Sequence, residues 1–368
     1  MKKNALNFLE SVELNFKARD ESIGANFSKI LLINKHNNDI KEQIKGKFIL
    51  LGVPDDRGVL ANLGNPGAKN GPQLFRDSFY KLYDTQLHRF NPITQKPNTK
   101  DQKQYHNRNF LSERFIDVGN IILAETIEET HNRIADVIEL LLQNEAKLIF
   151  VLGGGHDFSY GSYKGHVNYK KDEIIPIINF DAHFDLRPVI NGSINSGTAF
   201  YRIIQDFNKN IINGKALLEI GIQRERNPHS LFEFALKHEV KTIEYISFLD
   251  IWRDYNTGNS QIPSEHIHDH IDDCSKFGFN RKTGSIHVSL CLDVFDQAIA
   301  PGTSASTPLG AQMKDLSLSL AFFGKNHTCR IMDIAELCPA RDTHDQTSRL
   351  CASIVYRIAL LREEYSNR

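Results

Sequence analysis

The sequence predicts an α/β domain with a mostly parallel central sheet covered by helices on both faces, and two patterns carry that expectation. Short apolar runs rich in Ile, Val, Leu and Phe recur along the 368 residues, each closing on Gly or Asp, and amphipathic helical stretches separate them. A strand that is apolar on both sides belongs inside a parallel sheet, because helices cover both of its faces. The runs at 47–52, 148–152, 174–180, 217–222, 286–292 and 329–334 are read as such strands. Helices are predicted over 126–146, where Ile127, Ile134, Ile138 and Leu141 share a face, and over 346–364, where Leu350, Ile354, Ile358 and Leu361 do. Residues 91–114 are polar with two prolines and read as a long surface loop. No linker or internal repeat divides the chain, so residues 1–368 are read as one domain. In such folds ligands bind beyond the carboxyl ends of the strands, and the residues there are the informative ones.

Composition narrows the class of partner. Lys plus Arg number 44 against 45 Asp plus Glu, a net charge of -1, which gives no electrostatic reason to expect nucleic acid or a membrane surface. No apolar run reaches the roughly 18 residues of a membrane span, and the start, Met1-Lys2-Lys3-Asn4 followed by Glu10 and Glu13, lacks the apolar stretch of a secretory signal. The five cysteines are unevenly placed and none has Cys-x-x-Cys spacing, so a disulfide framework is not expected. The expectation is a cytoplasmic protein acting on a small molecule.

Three strand ends carry residues suited to chemistry. After the run at 148–152 come Gly153-Gly154-Gly155-His156-Asp157, where the glycines permit a sharp turn or a close approach, or form part of a phosphate loop. After 174–180 come Asp181-Ala182-His183-Phe184-Asp185; in an extended chain, alternate residues face one side, so Asp181, His183 and Asp185 would converge. A cluster that merely caps a turn is the plainer reading of this segment. The third run ends in Cys291-Leu292-Asp293. Together His156, Asp181, His183, Asp185 and Asp293 form a mixed oxygen and nitrogen donor set with excess negative charge, suited to a divalent ion such as Mn2+.

With these motifs in order, the sequence resembles the ureohydrolase family of arginases, agmatinases and formiminoglutamases. Gly153-Gly-Gly-His156 resembles its first metal motif, Asp181-Ala-His183-Phe-Asp185 its Asp-Ala-His-x-Asp motif, and 289–296 its third, Ser-x-Asp-x-Asp-x-x-Asp. Tyr160-Gly161, the run from Ser196 to Phe200 and the run from Ala300 to Ala305 lean towards the formiminoglutamase branch. The resemblance implies a three-layer αβα sandwich, a homo-oligomer, and two Mn2+ ions. His156, Asp181 and Asp185 would surround one ion and Asp181, His183 and Asp293 the other, with Asp181 shared. It also implies hydrolysis of N-formimino-L-glutamate to L-glutamate and formamide in histidine degradation. Asp185 would then carry the proton and Glu336 would face the amidinium. Arg187 and Thr198 are assigned to the substrate; its carboxylates need donors, and among Arg187, Arg202, Arg224 and Arg341, all near strand ends, the sequence does not choose.

Two positions depart from the family pattern. Cys291 stands where the third motif has its first aspartate, and it reads either as a softer thiolate ligand or as a buried strand cysteine that does not ligate. Asn65 stands where many formiminoglutamases are expected to carry an arginine. The histidine that shuttles protons in arginases also has no counterpart in the stretch at 196–198, although His166 or another histidine is free to approach in space. Activity on arginine, agmatine or another guanidino compound is the nearest alternative, and a metal-poor relative that binds a ligand without hydrolysing it is the second. The run from Glu265 to His270, rich in His and Asp, has no partner segment that would make it a metal site.

Overall fold

The computed structural model describes residues 5–12, 31–35, 39–84, 110–245 and 263–366. Residues 91–109 of the expected surface loop lie outside them, and Ser112–Arg114 form a 3-10 turn.

A ten-stranded sheet is the frame of the described residues. In chain order its strands are β1 Leu9–Glu10, β2 Leu31–Leu32, β3 Phe48–Val53, β4 Phe115–Ile121, β5 Leu148–Gly153, β6 Ile177–Phe180, β7 Leu217–Ile222, β8 Lys241–Glu244, β9 Ile286–Cys291 and β10 Cys329–Ala335. In space they run β1-β4-β3-β5-β10-β9-β6-β7-β8, with β2 also on β4. Every pairing is parallel except that of β1 with β4. All six expected strands are present, within three residues at each end.

The helices are α1 Ile40–Ile44, α2 Arg57–Ala61, α3 Gly71–Phe79, α4 Ile127–Gln143, α5 Phe158–Lys170, α6 Ala199–Asp206, α7 His229–Lys237, α8 Pro263–Lys276, α9 Met313–Lys325 and α10 Gln346–Ser366. The start of α4 is legible in its residues: the Thr126 hydroxyl accepts from the Glu129 backbone amide at 3.1 Å, and Glu128 and Glu129 sit in the positive first turn. Period-two alternation sorts the side chains of β3 and β5 between two cores. Phe48, Leu50, Leu148 and Phe150 face the core that holds Phe75 and Phe79 of α3, while Ile49, Leu51, Ile149 and Val151 face the α4 residues Ile134, Ile138 and Leu141.

Strand β4 escapes the sequence pattern because Asp117, Gly119 and Asn120 interrupt its apolar run. Their polarity answers to one residue. Arg76 of α3, fully buried, donates from Nε to Asp117 Oδ2 at 2.8 Å, from Nη2 to Asp117 Oδ1 at 3.0 Å and from Nη1 to Asn120 Oδ1 at 2.7 Å. The Tyr80 hydroxyl donates to the same carboxylate, and burial beside that charge pushes the phenol pKa far up. A buried pair of this kind gains little over an apolar core, yet losing one partner strands a charge. We therefore expect Asp117→Ala to lower the unfolding free energy by about 3–5 kcal/mol, read from urea denaturation. A loss below about 1 kcal/mol would show that the pair does not hold α3 to the sheet.

Candidate metal centre

Strands β5, β10, β9 and β6 are consecutive neighbours in the middle of the sheet, so their carboxyl ends open side by side. His156 follows β5, Asp181, His183 and Asp185 follow β6, Cys291 ends β9, Asp293 lies in the 3-10 turn Leu292–Val294, and Glu336 follows β10. These residues meet around a cavity of about 330 Å3 whose wall includes Asp181, His183, Asp185, Cys291, Asp293 and Glu336.

The convergence does not come from strand periodicity, as the sequence suggested. β6 stops at Phe180, and the chain turns: Asp181 Oδ1 accepts from the His183 amide at 2.7 Å, and Asp185 takes a positive φ of 49°. That left-handed conformation is uncommon for a residue with a side chain, and here it turns the Asp185 carboxylate back towards His156. The triple glycine is packed against β3's exit. A Cβ on Gly154 would stand 1.9 Å from the Asp55 carbonyl oxygen, so close backbone approach, not a phosphate, accounts for it. Glu336, at φ 69°, grips the same turn by donating its amide to Gly154 O and accepting the His156 amide on Oε1, both at 2.9 Å.

His156 Nδ1 lies 2.9 Å from both Asp181 Oδ2 and Asp185 Oδ2, and Nε2 lies 2.7 Å from Ser289 Oγ. A proton on Nε2 donated to Ser289 leaves the Nδ1 lone pair free. On the other side of Asp181, His183 Nδ1 lies 3.4 Å from Asp181 Oδ1 and 3.2 Å from Asp293 Oδ2. The donor atoms of His156, Asp181 and Cys291 fall within 4.8 Å of one another, and so do those of Asp181, His183 and Asp293. Asp181 is common to both groups.

The donor set suits divalent cations on a further observation. Asp293 Oδ1 is buried and makes no hydrogen bond, and the buried His156 Nδ1 and Asp181 Oδ2, though 2.9 Å apart, find no partner in hydrogen-bond geometry. Burying polar atoms without partners is costly, and a cation at their meeting point relieves it. The electrostatics agree. Burial opposes ionisation of Asp181, but the His156 and His183 imidazoles beside it hold its carboxyl well below the usual range. Burial and the Asp181 charge push Asp185 up to about 6, and burial pushes Glu336 up to about 8. The Cys291 thiol is also pushed well up by burial and by the carboxylates of Asp181, Asp293 and Glu336, a field that a cation would reverse.

The remaining expected residues divide. Arg187 lines the cavity. Thr198 does not reach it: its buried hydroxyl donates to Asn195 O at 2.7 Å, and Ser196 stands in the wall instead. Arg202 is held beneath, on the Tyr160 ring at 3.5 Å and paired with Glu128, and Arg224 is paired with Glu244 on the surface. Arg341, in the 3-10 turn Pro339–Arg341, borders a shallow surface hollow lined also by Gln297 and Ser306. His166 is buried far down the strands, 2.6 Å from Ser285 Oγ at the foot of β9, so it cannot serve the cavity. In the histidine-rich α8, His270 Nε2 lies 3.2 Å from Ala216 O and His268 packs edge-on to Phe322. Sequence reasoning missed Arg226 and Asn227, which also line the cavity; their only signal was their position just after β7.

Comparison with known proteins agrees with this layout. The arginase-family profile matches residues 46–361. Formimidoylglutamase from Lysinibacillus sphaericus is 32% identical over 322 residues, 87% of this chain and 86% of its own. That of Legionella pneumophila is 30% identical over 332 residues, 89% of each chain. Among solved structures, Bacillus subtilis formimidoylglutamase superposes with a TM-score of 0.72 at 22% identity, covering 98% of this chain and 99% of its own. Trypanosoma cruzi formiminoglutamase with Mn2+ does so with 0.70 at 20% identity, covering 92% and 98%. The helix-flanked, mostly parallel sheet is thus the three-layer sandwich of these enzymes, and the chain belongs to the arginase family.

Proposed function

We propose that this chain is a metal-dependent formimidoylglutamase: water cleaves the formimino C–N bond of N-formimino-L-glutamate to give L-glutamate and formamide. The observation that carries the reading is the Asp181-centred donor cluster in a cavity that also holds a buried carboxylate, Glu336, and a guanidinium, Arg187. A cationic amidine with carboxylates at its other end matches that distribution. The relatives that carry the formimidoylglutamase name, and the Mn2+ of the trypanosomal enzyme, support the same assignment.

His156, Asp181, Asp185 and Cys291 would hold one Mn2+, and Asp181, His183 and Asp293 the other. Bound there, the ions would lower the pKa of a water and so supply hydroxide near neutral pH. Glu336, whose raised pKa the bound cations and the amidinium would bring down, serves the amidinium as counter-charge, and its grip on the 154–156 turn keeps His156 in place. Asp185, on the cavity wall, takes a proton from the attacking water and delivers it to the glutamate nitrogen. The water oxygen ends on the formimino carbon, the bonding pair of the broken C–N bond stays with the glutamate nitrogen, and the imino nitrogen leaves in formamide. Arg187 meets a carboxylate, and Ser196 takes the polar contact expected of Thr198. The same reading makes residues 1–368 one catalytic domain, homo-oligomeric and cytoplasmic, in histidine degradation. Among the described residues no helix is long and apolar enough to cross a membrane.

Three outcomes are expected. With Mn2+ loaded, release of glutamate and formamide from N-formimino-L-glutamate should exceed hydrolysis of agmatine or arginine by at least about 100-fold in kcat/KM; faster urea release from a guanidino substrate would assign a different activity. Asp185→Asn should lower kcat by about 10²–10⁴-fold with a smaller change in KM, and full activity would remove Asp185 from proton transfer. Metal analysis after desalting should find two Mn2+ per chain, fewer in Cys291→Ser and two again in Cys291→Asp. Two ions in all three proteins would make the thiol a bystander.

A further inference from the structure

At position 65, where the family resemblance leads one to expect an arginine, the chain has Asn65. Its amide donates to Ser304 O at 2.8 Å, and its side chain is not part of the cavity wall. A guanidinium enters the same cavity from a different element. Arg226 closes the 3-10 turn Arg224–Arg226 that follows β7, and its half-buried side chain stands in the wall.

That turn is fastened to the segment bearing the acidic cluster. Asn227 Nδ2 donates to Ala182 O at 2.9 Å and to Gln223 O at 2.8 Å, and its Oδ1 accepts from the Phe184 amide at 2.9 Å. The Gln223 amide also donates to Ala182 O at 3.1 Å. Buried hydrogen bonds therefore set the backbone of Arg226 against residues 182–184, between the ligand-type side chains of Asp181 and Asp185. Its charge is also uncommitted. Among the described residues Arg226 and Arg187 make no ion pair, whereas Arg57, Arg76, Arg202 and Arg224 are each paired with a carboxylate. An unpaired guanidinium in the same cavity wall as Arg187 is a site for an anionic group, and its planar fork matches a carboxylate.

We infer that Arg226 is a specificity-determining residue that binds a substrate carboxylate, replacing from the end of β7 the arginine that Asn65 displaces. The inference rests on the proposed formimidoylglutamase reading, and it divides the site: the amidinium lies at the Glu336 end and a carboxylate at the Arg226 end. Agmatine has no carboxylate to place there.

The test is steady-state kinetics of the Mn2+-loaded full chain and its Arg226→Ser and Arg226→Lys variants on N-formimino-L-glutamate and on N-propylformamidine, which keeps the amidine and lacks both carboxylates. Arg226→Ser should lower the ratio of kcat/KM for the two substrates by about 10- to 100-fold, mostly through KM, and Arg226→Lys should restore part of it. An unchanged ratio, including one left unchanged because both substrates suffer equally, overturns the assignment. Calorimetric binding of L-glutamate separates the two readings. If the wild type binds glutamate in an Arg226-dependent way yet leaves the formimino substrate intact, the reaction is misassigned and the carboxylate site stands. Glutamate binding that Arg226→Ser does not weaken overturns the site whatever the reaction.

Discussion

One buried carboxylate sits between two imidazoles, and the rest of the centre is arranged around it. Asp181 is 1% exposed, with His156 on one oxygen and His183 near the other. A carboxylate without water around it stays charged only if positive or polar groups replace that water. Asp185, Asp293 and Cys291 add further negative or soft donors to the same place, so the protein's own groups leave the cluster short of positive charge. The shortage can be met by cations that the cluster binds. A parallel sheet suits the purpose because the ends of β5, β10, β9 and β6 lie side by side and each delivers its residue to one spot.

Holding so many polar groups in a dry interior needs support below them. Asp333, Ser289, Asn179 and Glu219 occupy one register row across β10, β9, β6 and β7, just under the centre. Ser289 orients His156, Asn179 donates to Glu219 at 2.8 Å, and Asp333 joins Ser162 of α5 to His287 of β9. Each bond is modest, yet leaving any of these groups unpartnered would be costly. The positive φ angles of Asp185 and Glu336 belong to the same pattern, since local strain persists where surrounding contacts over-determine it.

Charge in the cavity is distributed by element. The ends of β6, β9 and β10 supply Asp181, Asp185, Cys291, Asp293 and Glu336, while the guanidinium groups come from loops, Arg187 after the Asp185 turn and Arg226 after β7, where Glu225 also lines the wall. At position 65, where an arginine is expected, an asparagine donates to Ser304 O instead. The thiol of Cys291 is the one change in the floor itself. Its position beside His156 and Asp181 makes a soft donor available where an oxygen is expected.

By itself the sequence determined the fold class, six of the strands, the helices α4 and α10, and which ligand-type residues stand at the ends of the strands. Those features are local: apolar runs, helical periodicity and residue types at strand ends follow from neighbours along the chain. Short range also explains what was misread. Alternation suggested that Asp181, His183 and Asp185 converge along an extended strand, but the chain leaves the sheet first and a turn brings them together. The polar residues of β4 hid a strand, because their partner Arg76 lies 41 residues away. Only the tertiary structure decided that Thr198 caps a turn while Ser196 meets the cavity, that Arg202 and Arg224 are already paired, and that Arg226 is available. An arginine's role depends on which carboxylate it can reach, and that is settled by the packing of distant segments.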